Sequence, residues 1–282
     1  MQAMANRVCV VTGASTGLGY AAALGLARLD ATVVMVSRHR ERGERALAEV
    51  RAASGRDDVE LYLADLSLPR SVADFAAALG RTHDRLHVLV NNAGLYFGER
   101  QTTADGLEAT FALNHLGYVA TTHHLLPLLQ AGAPARVVNV SSYGHLFGRL
   151  DFDDLQYERR RYSGLGAYCA SKLANVLFTY ELARRLEPSG VTANCLSPGA
   201  VATRFAGEAH DWFGALVRLG RFAYASPERA ARAHLHLASA PELATVTGRY
   251  FGGTKPRRTS AASHDRAAQE RLWSLSAELL GL

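Results

Sequence analysis

Lysine is nearly missing from this chain of 282 residues: only Lys172 and Lys255 are lysines, and the other members of its 31 basic side chains are arginines. Cysteine is scarce too. Cys9, Cys169 and Cys195 are odd in number and widely spaced, with no CxxC pair, which excludes a disulfide framework and a zinc site and fits free thiols in a reducing compartment. Cys9 and Cys195 sit in apolar runs and are predicted to be core, whereas Cys169 is expected to be more accessible. No apolar run is long enough to cross a membrane, and Met1–Arg7 is short and polar. The expectation is a cytoplasmic protein with no signal peptide and no stable membrane insertion. Basic runs are short. Arg159-Arg160-Arg161 is the one triple, so a net charge of +5 reads as an arginine-rich solvated surface rather than a nucleic-acid site. No linker, repeat or low-complexity stretch divides the chain, which predicts one domain over residues 1–282. No metal is expected.

What is present is a strict alternation of elements. Apolar, β-branched runs predict strands at Arg7–Thr12, Thr32–Ser37, Val59–Leu63, Val88–Asn91, Arg136–Ser141 and Val191–Ser197. Helices are predicted between them at Leu18–Leu29, Arg40–Ser54, Pro69–Thr82, Thr103–Leu129 and Gly166–Leu186, with a terminal helix at Ser263–Leu279. Strands that are apolar throughout belong to a parallel sheet covered on both faces, so the fold class is α/β, a Rossmann-type doubly wound sheet. Two segments break the rhythm: Tyr143–Leu165, long and mixed in charge, and residues 204–225, which carry Phe205, Trp212 and Phe213. Excursions at the carboxyl ends of parallel strands form ligand sites, and 204–225 is read as a substrate lid.

The chemistry-bearing motifs lie at those same strand ends. The first strand runs into Gly13-Ala14-Ser15-Thr16-Gly17-Leu18-Gly19, a glycine-rich turn opening a helix, whose amides and dipole suit a phosphate. The second strand ends at Ser37-Arg38, where a dinucleotide site selective for NAD carries an acid. A hydroxyl and a guanidinium suit a 2′-phosphate instead, so NADP(H) is expected over NAD(H). Asp65-Leu66 follows the third strand, placed to accept from an adenine amino group or to cap the helix near Pro69. Asn92-Ala93-Gly94 follows the fourth, where small residues let a ligand pass close and amides tie strands together. Asn114 sits inside an apolar helical run, a place where an amide needs a specific partner. Ser141-Ser142 ends the fifth strand. Pro198, Gly199, Val201 and Thr203 follow the sixth.

Tyr168 and Lys172 are four apart on a predicted helix and therefore share a face. A free Tyr titrates near ~10. One positive charge ~4 Å away at an effective dielectric of ~20 supplies about 4 kcal/mol, enough to bring the phenol near neutrality. Lysine also offers three rotatable donors, which suits simultaneous contact with a phenolate and a ligand hydroxyl.

Taken in order, TGxxxGxG, NNAG, the helix Asn, the strand-end Ser and YxxxK resemble the classical short-chain dehydrogenase/reductase family over about Arg7 to Phe251. Within it, Thr103–Gly106, Asn114–Gly117 and Ala167–Asn175 are similar to the retinol dehydrogenase and carbonyl reductase branch. The resemblance implies Tyr168 as catalytic acid/base and Lys172 lowering its pKa and holding ribose hydroxyls. It implies Ser142 polarising a carbonyl and Asn114 linking Lys172 to solvent through water. Phe205, Trp212 and Phe213, with Ser142 and Tyr168, would meet the substrate. The expected activity is NADPH-dependent reduction of a ketone or aldehyde, or the reverse oxidation, on a lipophilic or polycyclic small molecule of secondary metabolism. A catalytically silent NADP(H) sensor and an epimerase or dehydratase on the same fold are the alternatives. A homodimer or homotetramer is expected through the helices bearing Asn114 and Tyr168.

Overall fold

The computed structural model describes residues 4–199 and 226–282. Along the chain run β1 (Val8–Thr12), α1 (Gly17–Ala27), β2 (Thr32–Ser37), α2 (Arg40–Ser54), β3 (Val59–Leu63), α3 (Pro69–Gly80) and β4 (Val88–Asn91). A short α4 (Ala109–Phe111) then passes through a π-helical turn (Ala112–Leu116) into α5 (Gly117–Ala131). After β5 (Ala135–Val140), a 3-10 turn (Tyr143–Phe147), α6 (Gly164–Arg185) and β6 (Val191–Ser197), the described chain resumes with α7 (Pro227–Ser239), β7 (Tyr250–Gly252), β8 (Lys255–Pro256) and α8 (Arg266–Leu280). The strands form one sheet in the order β3-β2-β1-β4-β5-β6-β7-β8, parallel except for the β7–β8 pair. This is the doubly wound arrangement expected from the alternation.

Burial follows from the period of two. Along β1 and β2, Cys9, Val11, Val33 and Met35 enter one core with α1 and α7, while Val10, Val34 and Val36 enter the other with α3, α5 and α6. Both faces are covered, which is why the strands carry no polar alternation. Gly25 lets α1 sit against Leu235 of α7: a Cβ there would lie 2.6 Å from the Leu235 side chain.

Several boundaries differ from the sequence expectation for local reasons. The helix predicted from Thr103 begins at Ala109, because Glu108 caps it, accepting from the amides of Thr110 (2.8 Å) and Phe111 (2.7 Å). Thr103 to Gly106 closes a turn before it, with Gly106 at φ +79°. Leu68 rather than Asp65 is the N-cap residue of α3, and Asp65 instead accepts from the Ser67 amide at 3.0 Å. Cys169 is buried like Cys9 and Cys195, since it lies on the inner side of α6. The Arg159–Arg161 triple is a loop, as expected. The Asp154 carboxylate gathers the amides of Glu158, Arg159 and Arg160, and the Arg160 guanidinium lies 3.9 Å over the Tyr157 ring.

α8 packs on α6. Trp273 stacks on Phe178 with ring centroids 5.7 Å apart, and Ser276 hydrogen-bonds His115 of the π-helical turn at 2.9 Å. Assembly of two copies through the helices bearing Asn114 and Tyr168 would therefore meet a surface that this chain covers with its own terminal helix. Among the described residues, no helix is long and apolar enough to cross a membrane.

His115 and His234 are fully buried, and burial lowers both to about 4. In the unfolded chain each takes up its proton below ~6.5. The stability they contribute is thus complete above that pH and is lost as pH falls towards 4, by up to ~1.4 kcal/mol per pH unit for each histidine. Unfolding midpoints in denaturant should fall between pH 6.5 and 4.5, and His234→Leu should flatten the fall. A pH-independent midpoint would contradict this.

Candidate active site

The strand order reverses between β1 and β4, and the crevice at their carboxyl ends is the ligand-binding position of this architecture. Gly13 and Gly17 take positive φ (+66° and +59°), which lets the chain double back before α1. A Cβ at Gly13 would lie 2.9 Å from the Ala93 backbone, and one at Gly19 would collide with the Gly13 carbonyl and approach Asn92. Thr16 stands at the N-cap of α1 without a side-chain bond to the helix amides, and the first turn carries no acid. The amides at Gly17, Leu18 and Gly19 thus face a cradle fitted to an anionic phosphate, with Ser15 and Thr16 at its rim.

Thr12 joins this loop to the next. Its hydroxyl donates to Val90 O and accepts from the amides of Asn92 (2.8 Å) and Ala93 (3.1 Å), and Asn92 Nδ2 returns a bond to Thr12 O. Behind it, Asn91 Nδ2 donates to Thr122 Oγ1 and to Asn139 Oδ1, and Asn139 Nδ2 to Thr179 Oγ1. That buried polar ladder crosses β4 and β5 at the register pair Asn91–Asn139. Ser37 is buried with its hydroxyl on His39 O, and the exposed Arg38 lies 3.9 Å from Asp65. Leu66 is buried beneath Gly117. The end of β2 itself thus carries a hydroxyl and a guanidinium, with the Asp65 carboxylate facing that guanidinium from the end of β3. Together, the phosphate cradle and this corner fit a dinucleotide.

Asn114 closes the Gly94 loop: its Oδ1 accepts from Leu95 N and its Nδ2 donates to Leu95 O, both at 2.9 Å, and to Ser171 Oγ. The π-helical turn that carries it is the kind of local irregularity that accumulates at functional sites. A Cβ on Gly94 would sit 3.1 Å from Asn114 Oδ1 and 3.3 Å from Lys172 Nζ, so three separate motifs converge on one point. The Asn114 main-chain carbonyl accepts from Asn175 Nδ2 at 2.9 Å.

Ser141 and Ser142 divide their work. Ser141 is buried and donates to Lys172 O, fixing α6 to the sheet. Ser142 turns the other way. Its hydroxyl accepts from Gly144 N and hydrogen-bonds the Tyr168 phenol, and the Tyr168 ring meets Tyr96 edge-on. Lys172 Nζ lies 5.6 Å from the Tyr168 ring centre and donates to Val140 O at 3.3 Å. The expected depression of the phenol by Lys172 is reversed here: burial pushes Tyr168 up to about 12, against the lowering effect of Ser142, and burial pulls Lys172 down to about 8. Desolvation is the largest effect on both groups.

These features decide the family. A short-chain dehydrogenase family model matches residues 7–213. The chain belongs to the short-chain dehydrogenase family. It is thus an oxidoreductase of a family that uses a nicotinamide cofactor. It is 41% identical to retinol dehydrogenase 13 of Homo sapiens over 282 residues, covering 98% of this chain and 85% of that protein. It is also 41% identical to retinol dehydrogenase 12 of Mus musculus, with 98% and 87% covered. A crystal structure of a protein from Mycobacterium paratuberculosis is similar at a TM-score of 0.79 and 35% identity, covering 98% of this chain and 94% of that one. The Pseudomonas aeruginosa RhlG/NADP active-site complex is similar at 0.71 and 28%, with 89% and 96% covered.

Of the residues named from sequence, the glycine loop, Ser37, Arg38, Asp65, Leu66, Asn92–Gly94, Asn114, Ser142, Tyr168, Lys172, Pro198 and Gly199 lie in the described chain at the carboxyl edge of the sheet. Val201, Thr203, Phe205, Trp212, Phe213 and the segment 204–225 lie outside the described residues. Sequence reasoning missed Asn175, His115 and Ser276. Asn175 Nδ2 donates to Asn114 O and Val140 O, which makes its Oδ1 an acceptor for His115 Nδ1–H and leaves His115 Nε2 to accept from Ser276. Asn175 shares a face with Tyr168 and Lys172 on α6, and His115 and Asn175 both lie in stretches that carry the family resemblance; those were the available signals.

Thr12→Val keeps the shape but strands two buried amides. It should lower unfolding free energy by roughly 1–3 kcal/mol and weaken dinucleotide binding, read by denaturant melts and by cofactor fluorescence titration. Unchanged stability would remove Thr12 from the account.

Proposed function

We propose that the chain is an NADPH-dependent carbonyl reductase, or the alcohol dehydrogenase of the reverse direction, acting on a lipophilic small molecule. One observation carries the reading: the Ser142 and Tyr168 hydroxyls hydrogen-bond each other, with the Lys172 ammonium 5.6 Å from the Tyr168 ring centre and against Gly94. When bound, NADP(H) supplies or takes up the hydride. Gly13, Ser15, Thr16, Gly17, Leu18 and Gly19 would hold its phosphates. Ser37 and Arg38 would meet a 2′-phosphate, and Asp65, Leu66, Asn92 and Ala93 the adenine side. The NADP complex of RhlG, at 28% identity, supports the cofactor choice.

With Tyr168 held up near 12, the phenol carries its proton at neutral pH, the form needed to protonate a carbonyl oxygen as it becomes an alcohol. Ser142 accepts from Gly144 N–H and hydrogen-bonds the Tyr168 phenol; a carbonyl oxygen seated between the two hydroxyls would take the Ser142 proton in a hydrogen bond that stabilises the charge developing there. Lys172, at about 8, is largely charged at neutral pH and offsets the phenolate left behind. The turn directly after Ser142 exposes Tyr143, Leu146 and Phe147 at 46%, 49% and 79%, an apolar rim that suits an apolar substrate, as do the retinol dehydrogenase relatives. Free buried thiols fit a reducing, cytoplasmic setting. A role in secondary metabolism rests on composition alone.

The test is NADPH oxidation with a panel of aliphatic, aromatic and polyene aldehydes and ketones. Turnover should favour the lipophilic members. Tyr168→Phe should lower kcat by at least ~100-fold with cofactor affinity nearly unchanged, and Arg38→Ala should weaken NADPH more than NADH. Tight NADPH binding with no turnover of any carbonyl would favour a sensor instead.

A further inference from the structure

Ser142 reaches the reacting atoms only if its peptide is held, because a serine hydroxyl has three staggered positions and the 3-10 turn behind it is an intrinsically weak element. The structure shows what holds it. The Ser142 carbonyl accepts twice from His145: from the backbone amide at 3.1 Å and from ring Nδ1 at 2.7 Å. A carbonyl oxygen has no proton to give, so Nδ1 carries the hydrogen and the tautomer is determined. The ring is fully buried and lies against Tyr250 of β7, with centroids 4.7 Å apart. One end of Ser142 is thus pinned to a ring seated on the sheet, while the other is pinned by Gly144 N–H on its hydroxyl.

We propose that His145 is a positioning residue for the Ser142 hydroxyl, acting through the Ser142 carbonyl without touching substrate or cofactor. The proposal rests on the carbonyl-reductase reading above. His145 Nδ1–H sets the peptide plane of Ser142. That plane sets the Cα–Cβ direction, and the Gly144 amide then selects the one rotamer in which the hydroxyl proton faces Tyr168 and the substrate oxygen. A fold-stabilising histidine would need only its packing on Tyr250. A positioning one needs the donor at Nδ1.

The test compares His145→Phe, which keeps a ring on Tyr250 but has no donor, with His145→Asn, whose amide nitrogen falls where Nδ1 stood. Both are made in the wild-type and the Ser142→Ala backgrounds. H145F should lower kcat for carbonyl reduction about 10- to 100-fold, with KM for NADPH within about twofold of wild type, and H145N should recover most of the loss. In the Ser142→Ala background H145F should cost little more, because the group it positions is gone. If H145F does not fold, His145→Gln, which moves the donor to the Nε2 position, is read in the same way. Full activity in H145F, a loss that multiplies with that of Ser142→Ala, or failure of H145N to rescue would each overturn the proposal. A wild type that turns over no carbonyl would overturn the reading beneath it, whereas an active wild type with an indifferent H145F removes this inference alone.

Discussion

Lys172 is 4% exposed, and its ammonium lies 3.3 Å from the Val140 carbonyl at the end of β5. Taking an ammonium out of water is costly unless the surroundings supply oxygen acceptors, and the site's architecture is arranged around that requirement. Val140 O also accepts from Asn175 Nδ2. Asn175 is oriented by His115, and His115 by Ser276 of the terminal helix. Burial lowers the lysine to about 8 and raises the neighbouring phenol to about 12. Both groups therefore sit nearer their neutral forms than in water.

The same economy of polar contacts governs the rest of the crevice. Backbone that passes close to a ligand gives up its ladder bonds, so each loop is tied by side chains instead. Thr12 holds the Asn92 and Ala93 amides, Asn114 holds both backbone groups of Leu95, and Ser141 holds the Lys172 carbonyl. These partners come from β1, the π-helical turn and the residue after β5, which lie far apart in sequence. Rigid elements thereby position flexible loops to within a hydrogen bond, which is what a proton-transfer site demands.

The doubly wound sheet was legible because its signals are local. Apolar runs mark strands, glycines mark the phosphate turn, and the four-residue spacing marks the Tyr168 and Lys172 face. The observed β2, α2, β3 and β6 coincide with the expected spans. What was not legible depended on distant partners. The true start of the helix at Ala109 depends on the buried Glu108 cap and its Tyr162 contact, 54 residues away. The seventh strand is three residues long, too short to carry a pattern; α7 was missed although Ser226, Pro227 and Glu228 mark its start. Burial of Cys169, the direction of the Tyr168 shift and the His115–Ser276 bond, across 161 residues, are all properties of packing. Charge alone suggested a depressed phenol; desolvation, invisible in a sequence, won.

We propose that Tyr168 enters as a protonated acid and that the Lys172 ammonium offsets the phenolate it becomes. The pH dependence of alcohol oxidation, measured for wild type and Lys172→Met at saturating cofactor, tests it most directly. The base form of a phenol held high must be generated by raising pH. With the phenol held near 12, oxidation by the wild type should rise with pH up to about pH 10 without levelling off while reduction stays nearly level below about pH 9, and K172M should oxidise more slowly than wild type across that range. A wild-type oxidation rate that is flat or falls with pH, or a K172M profile matching the wild type, would contradict it.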